Sequence, residues 1–220
     1  FSNLRGYTFL DAGSGSGLFS LAAYQLGATV TSFDYDLGSV ECTEILRAKY
    51  CKNDEQWAVL HGSVLDEKFI AELGQFDIVY SWGVLHHTGS MWRAMENLLL
   101  CRPEYLYLAI YNDQGLYSKY WKVIKNLYNK NLFLRSCIVF MHFPYLYLLR
   151  KLISSLKYKS NYRGMNLWTD MLDWLGGLPF EVATPNQIVK FYNDQKLLCG
   201  FIKTVGNRLG CNEFLFIRKD

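Results

Sequence analysis

Thirteen residues near the amino end, Thr8-Phe-Leu-Asp-Ala-Gly-Ser-Gly-Ser-Gly-Leu-Phe-Ser20, carry the most specific chemistry in this chain. An apolar stretch ends in an acid, Asp11. A loop with Gly13, Ser14, Gly15 and Gly17 follows, and then an amphipathic segment. Such a loop between a strand and a helix lets a ligand lie against bare backbone at the carboxyl end of a parallel strand. The glycines fall as G-x-G-x-G, and Asp11 stands where a dinucleotide fold carries an apolar residue. A carboxylate pointing into the loop would repel a pyrophosphate and attract a cationic amine, so the expected ligand carries an amino group. Farther on, His86 and His87 offer adjacent imidazoles that can take a proton near neutral pH. The six cysteines and four histidines show no metal-ligand spacing, and no metal is expected.

Positioning these residues requires alternating elements. Short apolar runs near 7–11, 29–34, 56–61, 76–81 and 104–111 read as strands, and helical periodicity near 17–27, 38–50, 66–73 and 90–101 fills the gaps. Single helices between short strands imply right-handed crossovers and a parallel sheet covered on both faces. Gly27 suits the end of the first helix and Asp66 the start of the third. Residues 112–183 then interrupt the rhythm with helical, aromatic-rich sequence. Thr184-Pro185 opens a helix to about Gln195, with strands near 197–205 and 212–218 beyond it. The linker Gly206-Asn207-Arg208-Leu209-Gly210 is short enough to demand an antiparallel hairpin.

At 220 residues, half apolar and one fifth charged, the chain reads as one soluble domain over 1–220 with 112–183 as a helical insertion or lid. It begins at Phe1 close to the glycine loop, so an upstream segment, with any targeting signal, is expected to precede it. The cysteines read as reduced and intracellular, and the expected location is cytoplasmic, with peripheral membrane contact through 114–164 left open. The longest apolar run, Cys137 to Leu149, is interrupted by His142 and Pro144 and falls short of a membrane span.

The arrangement resembles the class I S-adenosylmethionine-dependent methyltransferases, over residues 7–111 and 184–218. The resemblance implies a three-layer α/β/α sandwich, Rossmann-like, with a seven-stranded, mostly parallel sheet and an antiparallel last strand. It implies S-adenosylmethionine as cofactor, its methionine part held by Asp11 and the loop Gly13, Ser14, Gly15 and Gly17. Asp34, ending the second strand, would accept the ribose hydroxyls, with Asp36 as competitor or helix cap, and Tyr35 could pack on the adenine. Ser63, Val64 and Leu65 would bracket the adenine; Ser63 stands where an acid is common, so the contact falls to its hydroxyl or to Asp66. Backbone carbonyls of Ser81 and Trp82 would hold the amino group. His86 and His87 face the acceptor, either as catalytic base, with His87 ahead, or as loop support in an enzyme that relies on alignment alone. Trp82-Gly-Val-Leu-His-His-Thr88 with Ile110-Tyr-Asn112 is more narrowly similar to the ubiquinone-biosynthesis type, the polyprenyl-benzoquinol O-methyltransferases.

The insertion has its own signature. From Gln114 to Gly164 there are ten Lys or Arg, eleven aromatics and no Asp or Glu, while the rest of the chain is net acidic. Lys119, Lys122 and Lys125 recur as on one solvated helix face. Three readings stand: a helical lid with its lysines in water; a basic amphipathic surface for anionic lipid or an amphiphilic substrate; and contact with RNA, ranked last because no nucleic-acid module accompanies it. Trp168, Asp170, Asp173 and Trp174 line either an acceptor pocket, with Arg163 for an anionic group, or a purely structural helix and turn. The expected function is methyl transfer to a small or amphiphilic acceptor, at oxygen; the alternatives are an RNA methyltransferase and a non-catalytic nucleoside-binding protein.

Overall fold

The computed structural model describes residues 3–51, 56–152, 166–206, 208 and 210–219. They divide into two compact units, Phe1–Asp113 with Glu181–Asp220, and Gln114–Phe180.

The first unit is built on a seven-stranded sheet: β1 (Thr8–Ala12), β2 (Thr29–Asp34), β3 (Trp57–His61), β4 (Ile78–Trp82), β5 (Tyr105–Tyr111), β6 (Leu197–Lys203) and β7 (Cys211–Arg218). Their order is β3-β2-β1-β4-β5-β7-β6. Pairings among β1 to β5 are parallel, and β7 runs antiparallel to both β5 and β6. This is the expected mostly parallel sheet with an antiparallel last strand. The order reverses between β1 and β4, where an α/β sheet opens a crevice beyond its carboxyl ends. Asn207 and Leu209 of the hairpin linker lie outside the described residues.

Strand alternation assigns each face. Leu10, Ala12, Phe33, Val79, Leu106, Leu108, Phe214 and Phe216 form one core with residues of α3 (Glu67–Glu72), α4 (Met91–Asn97) and α8 (Pro185–Asp194). Phe9, Val30, Trp57 and Ile78 form the other, beneath α1 (Leu18–Gln25) and α2 (Leu37–Tyr50). The helix starts follow the expected side-chain caps. Asp36 accepts from Ser39 N and Asp66 from Phe69 N, while Thr184 and Gln187 complete a capping box around Pro185. Leu26 rather than Gly27 is the C-cap of α1, with Gly27 next in the left-handed region.

The second unit holds α5 (Leu116–Tyr128), α6 (Leu132–Phe143) and α7 (Leu167–Gly176). Helical backbone continues from α6 through a π-helical turn at Pro144–Leu149 to Leu152, giving a 21-residue helix long and apolar enough to cross a membrane. That corrects the sequence reading, in which the apolar run from Cys137 to Leu149, interrupted by His142 and Pro144, falls short of a span. Pro144 costs the helix one amide, and the wide turn absorbs it. A second correction concerns Lys125, which is fully buried with Ser118, Trp121, Ile124 and Tyr128. Six residues of helix rotate it about 120° from Lys119, onto the inner face. Trp168 packs against Phe143 and Tyr147, Trp174 against Trp121 and Phe180, and Asp170 pairs with Arg150 at 2.6 Å. These residues act in packing within this unit; Tyr158, Tyr162 and Arg163 lie outside the described residues.

Candidate active site

Five parallel strands deliver their last residues, Ala12, Asp34, His61, Trp82 and Tyr111, to one edge of the sheet. The loop after β1 bends over that edge because Gly13 and Gly15 adopt φ of +85° and +54°. The two differ in surroundings. A Cβ on Gly13 would meet Val84 side-chain carbons at 2.4 Å, whereas a Cβ on Gly15 would meet nothing within 4 Å. Gly13 therefore serves close packing, and Gly15 borders open space where a ligand can lie on backbone. Ser14 is buried, its hydroxyl 3.2 Å from Thr43 Oγ1, and Gly17 is the N-cap of α1 beside the same threonine. Thr43 also donates to Gly15 O, so α2 holds the loop from behind.

Asp34 is the hinge of this edge. Its Oδ2 accepts from Gly15 N and its Oδ1 from Asp36 N, both at 2.9 Å. An ionised carboxylate has about four lone-pair sites, so two stay available for a pair of neighbouring hydroxyls. Asp36 is committed to capping α2. Tyr35 is 77% exposed, and its carbonyl lies 3.0 Å from His61 Nε2, which ties β2 to β3.

Asp11 is placed differently from expectation. Strand alternation puts its side chain on the α1 face, where it is 1% exposed. There it ends a directed chain of hydrogen bonds: Trp57 Nε1 donates to Ser32 Oγ, Ser32 to Ser20 Oγ, and Ser20 to Asp11 Oδ2, at 2.8, 2.7 and 2.5 Å. Burial pushes the Asp11 carboxyl up to about 6, the Ser20 hydrogen bond opposes the rise, and the charge of Asp34 adds to it. The carboxylate therefore lies beneath the loop, not within it.

Of the adenine candidates, Ser63 Oγ accepts from Leu65 N at 3.2 Å, leaving its O–H to donate. Val64 is buried in the core and its carbonyl accepts from Asn97 Nδ2, so its side chain is unavailable to a ligand. Leu65 packs partly against that core, and Asp66 caps α3. Ser81 is buried and donates to Ala12 O at 2.8 Å, locking the ends of β1 and β4 together. The Trp82 indole stacks with Phe19, Tyr80 and Tyr107 on the α1 face, so Trp82 offers the site its backbone.

The two histidines separate sharply. They form a single 3-10 turn, Leu85–His87, after β4. His86 is completely buried, its ring centroid 3.8 Å from that of Tyr111, and its Nδ1 accepts from Tyr111 N at 3.3 Å. No acceptor reaches a ring without solvent exposure, so His86 is a positioning residue and its expected role as base is corrected. His87 is half-buried, edge-on to Tyr111. Glu181, which sequence reasoning missed, braces this turn: its N–H donates to His86 O and its Oε2 accepts from Met91 N, at the start of α4. Thr43, Ser20 and Tyr111 were missed as well. Ser20 and Tyr111 lie inside the motifs at Thr8–Ser20 and Ile110–Asn112, but their roles, like that of Thr43, show only in contacts with residues distant in sequence.

Residues 10–100, which hold the glycine loop, Asp34, Ser63–Leu65 and both histidines, match the family model described as a methyltransferase domain. The chain carries a methyltransferase domain. No curated protein matches the sequence. Solved structures similar to it include magnesium protoporphyrin IX methyltransferase from Synechocystis PCC 6803 with bound SAH (TM-score 0.59, 18% identity, 99% of this chain and 76% of that one). Another is 1,6-didemethyltoxoflavin-N1-methyltransferase from Burkholderia thailandensis with bound 1,6-didemethyltoxoflavin and S-adenosylhomocysteine (0.55, 11%, 98% and 72%). A third is PKMT2 from Rickettsia typhi in complex with AdoHcy (0.62, 14%, 98% and 50%). At these identities the likeness is one of fold: the methyltransferase domain has the Rossmann-like architecture of all three. Among the described residues, no group of His, Cys, Asp or Glu is arranged to hold a metal ion.

Proposed function

We propose that this methyltransferase transfers the methyl group of S-adenosylmethionine to a small or amphiphilic acceptor, at a hydroxyl oxygen. The observation that carries the reading is the joint between the loop and β2. Gly15 leaves open space above its backbone, and its amide holds the Asp34 carboxylate that has two lone-pair sites to spare. A nucleoside with vicinal hydroxyls and a chain bearing an amine fits that joint. When bound, the cofactor supplies an electrophilic methyl group on a positively charged sulfur. Asp34 accepts the ribose hydroxyls, the Ser63 hydroxyl and the 63–65 backbone flank the base, and the carbonyls ending β4 accept from the amino group. Asp11 lends negative potential from beneath. His87, at the mouth of the β4 turn, takes the proton of the acceptor hydroxyl as the oxygen attacks. The segment Trp82–Thr88 with Ile110-Tyr-Asn112, similar to the ubiquinone-biosynthesis enzymes, supports a hydroxylated amphiphile as acceptor.

Isothermal calorimetry with S-adenosylhomocysteine tests the cofactor half. Asp34→Ala removes a charged acceptor and the anchor of Gly15, and should weaken binding by roughly 10- to 100-fold. Unchanged affinity would remove Asp34 from the site. Transfer of labelled methyl to hydroxylated aromatic and polyprenylated acceptors tests the other half. His87→Ala should lower kcat by about 10²-fold and abolish the acid limb of the pH profile, with S-adenosylhomocysteine affinity intact. A uniform loss at every pH would instead assign His87 to positioning.

A further inference from the structure

We propose that the 21-residue helix Leu132–Leu152 lies in the interface of an anionic lipid bilayer, with its outer face among the acyl chains and its unit otherwise in water. The helix is apolar by composition and yet mostly exposed. Phe133, Cys137, Met141, Tyr145, Leu148 and Leu152 recur every three or four residues, and all are exposed, as is Phe140 at 83%. The opposite face, with Ile138, His142 and Leu146, is buried. The π-helical turn at Pro144–Leu149 sits midway along the stripe. One wide turn resets the helical phase and keeps Leu148 and Leu152 in line with Phe140.

Charge identifies the occupant. The whole stretch Gln114–Gly164 carries ten bases and no acid. Exposed Lys119, Lys122, Lys130 and Lys151 surround the helix in sequence and suit phosphate headgroups. Tyr145 and Tyr147 add the amphipathic rings typical of a membrane interface.

The length of the helix, about 31 Å, would also suit a span, but its contacts argue against one. The inner face holds polar partners along its length: His142 Nε2 lies 2.7 Å from Tyr120 Oη, and Arg150 pairs with Asp170. A spanning helix would carry these groups, and α5 with its lysines, into hydrocarbon. Moreover α5, before the helix, and α7, after it, pack on each other through Trp121 and Trp174, with Lys125 donating to Trp174 O. The two flanks therefore lie on one side of any membrane plane. An exposed apolar stripe flanked by cations, over an inner face buried against polar and aromatic partners, describes a helix lying on the bilayer.

Flotation of the full chain with phosphatidylcholine vesicles, with and without phosphatidylglycerol, tests the assignment. Binding should require the anionic lipid and weaken with added salt. Phe140→Glu with Leu148→Glu should reduce it roughly tenfold or more. Both positions are exposed, so thermal stability and S-adenosylhomocysteine binding should stay unchanged, which keeps this test separate from that of the cofactor site. Absence of vesicle binding would overturn the proposal, as would binding indifferent to the two glutamates. Retention in the membrane after alkaline carbonate extraction would assign a span instead. Salt-sensitive binding to single-stranded RNA without vesicle binding would make the patch a nucleic-acid surface.

Discussion

Asp11 is the residue whose surroundings most change its chemistry. In an extended chain its carboxyl is an ordinary acid; beneath α1 it is buried and ends the chain of donors from Trp57 through Ser32 and Ser20. Its folded pKa, about 6, exceeds the unfolded value of 3.8, so the folded state holds this proton more tightly. The associated stability is fully present below pH 3.8 and is lost as pH rises through 6, a fall of about 3 kcal/mol. Asp11→Asn should therefore flatten the dependence of the melting temperature on pH between 4 and 7 and raise it at pH 7.5. Thermal melts across that range read the effect; parallel curves for the two proteins would mean that Asp11 is not the titrating group. Under the proposed function the stability lost at neutral pH has a use, because an ionised Asp11 is the form that would attract an amino group from below the loop. The same substitution should weaken S-adenosylhomocysteine binding most above pH 6.

At the scale of elements, the loop joining β1 to α1 separates folding from binding within three residues. Gly13→Ala forces a Cβ against Val84 and keeps a φ of +85°, so it should destabilise the fold by roughly 2 kcal/mol or more. Gly15→Ala meets open space and bears only the strain of its positive φ, about 1 kcal/mol. Its methyl group occupies the place proposed for the ligand, so cofactor affinity should fall at least tenfold while the melting temperature moves little. Calorimetry beside thermal melts distinguishes the two; equal losses of stability would make both glycines structural. The turn after β4 shows a similar division. His86 is held by Tyr111 and Glu181 and sets the turn, leaving His87 half-buried at its end.

At the scale of the molecule, a unit with an extended parallel sheet is joined to a small helical unit with a buried cation. Lys125 is fully buried, its ammonium 4.4 Å from the Trp174 ring centroid and 5.0 Å from that of Phe180. Burial lowers its pKa from 10.5 to about 8. A depressed folded pKa means that the unfolded chain binds this proton more tightly. The associated stability is present above pH 10.5 and is lost as pH falls through 8. Hydrogen exchange of amides in α5 and α7 should show the helical unit gaining stability from pH 8 to 10. Lys125→Met should remove that slope and raise stability at pH 7. A slope that the substitution leaves unchanged would show that Lys125 is not the group that titrates.

The sequence alone determined the strand and helix order, the antiparallel hairpin, the caps at Asp36, Asp66 and Thr184, and the roles open to Gly15 and Asp34. Each depends on local spacing or on backbone preferences that neighbouring residues express. It could not determine that Asp11 turns under α1, that Val64 joins the core, that His86 is sealed behind Tyr111, or that Lys125 faces inward. Those outcomes depend on which distant surfaces meet, through Ser20, Asn97, Glu181 and Trp174. The long helix lay between these cases. Its apolar residues were visible from the start, but Pro144 read as a break until the fold supplied a π-helical turn to carry the backbone past it. Only the tertiary structure decided which of its faces the protein covers, because one stripe is buried by contacts and the other is left exposed.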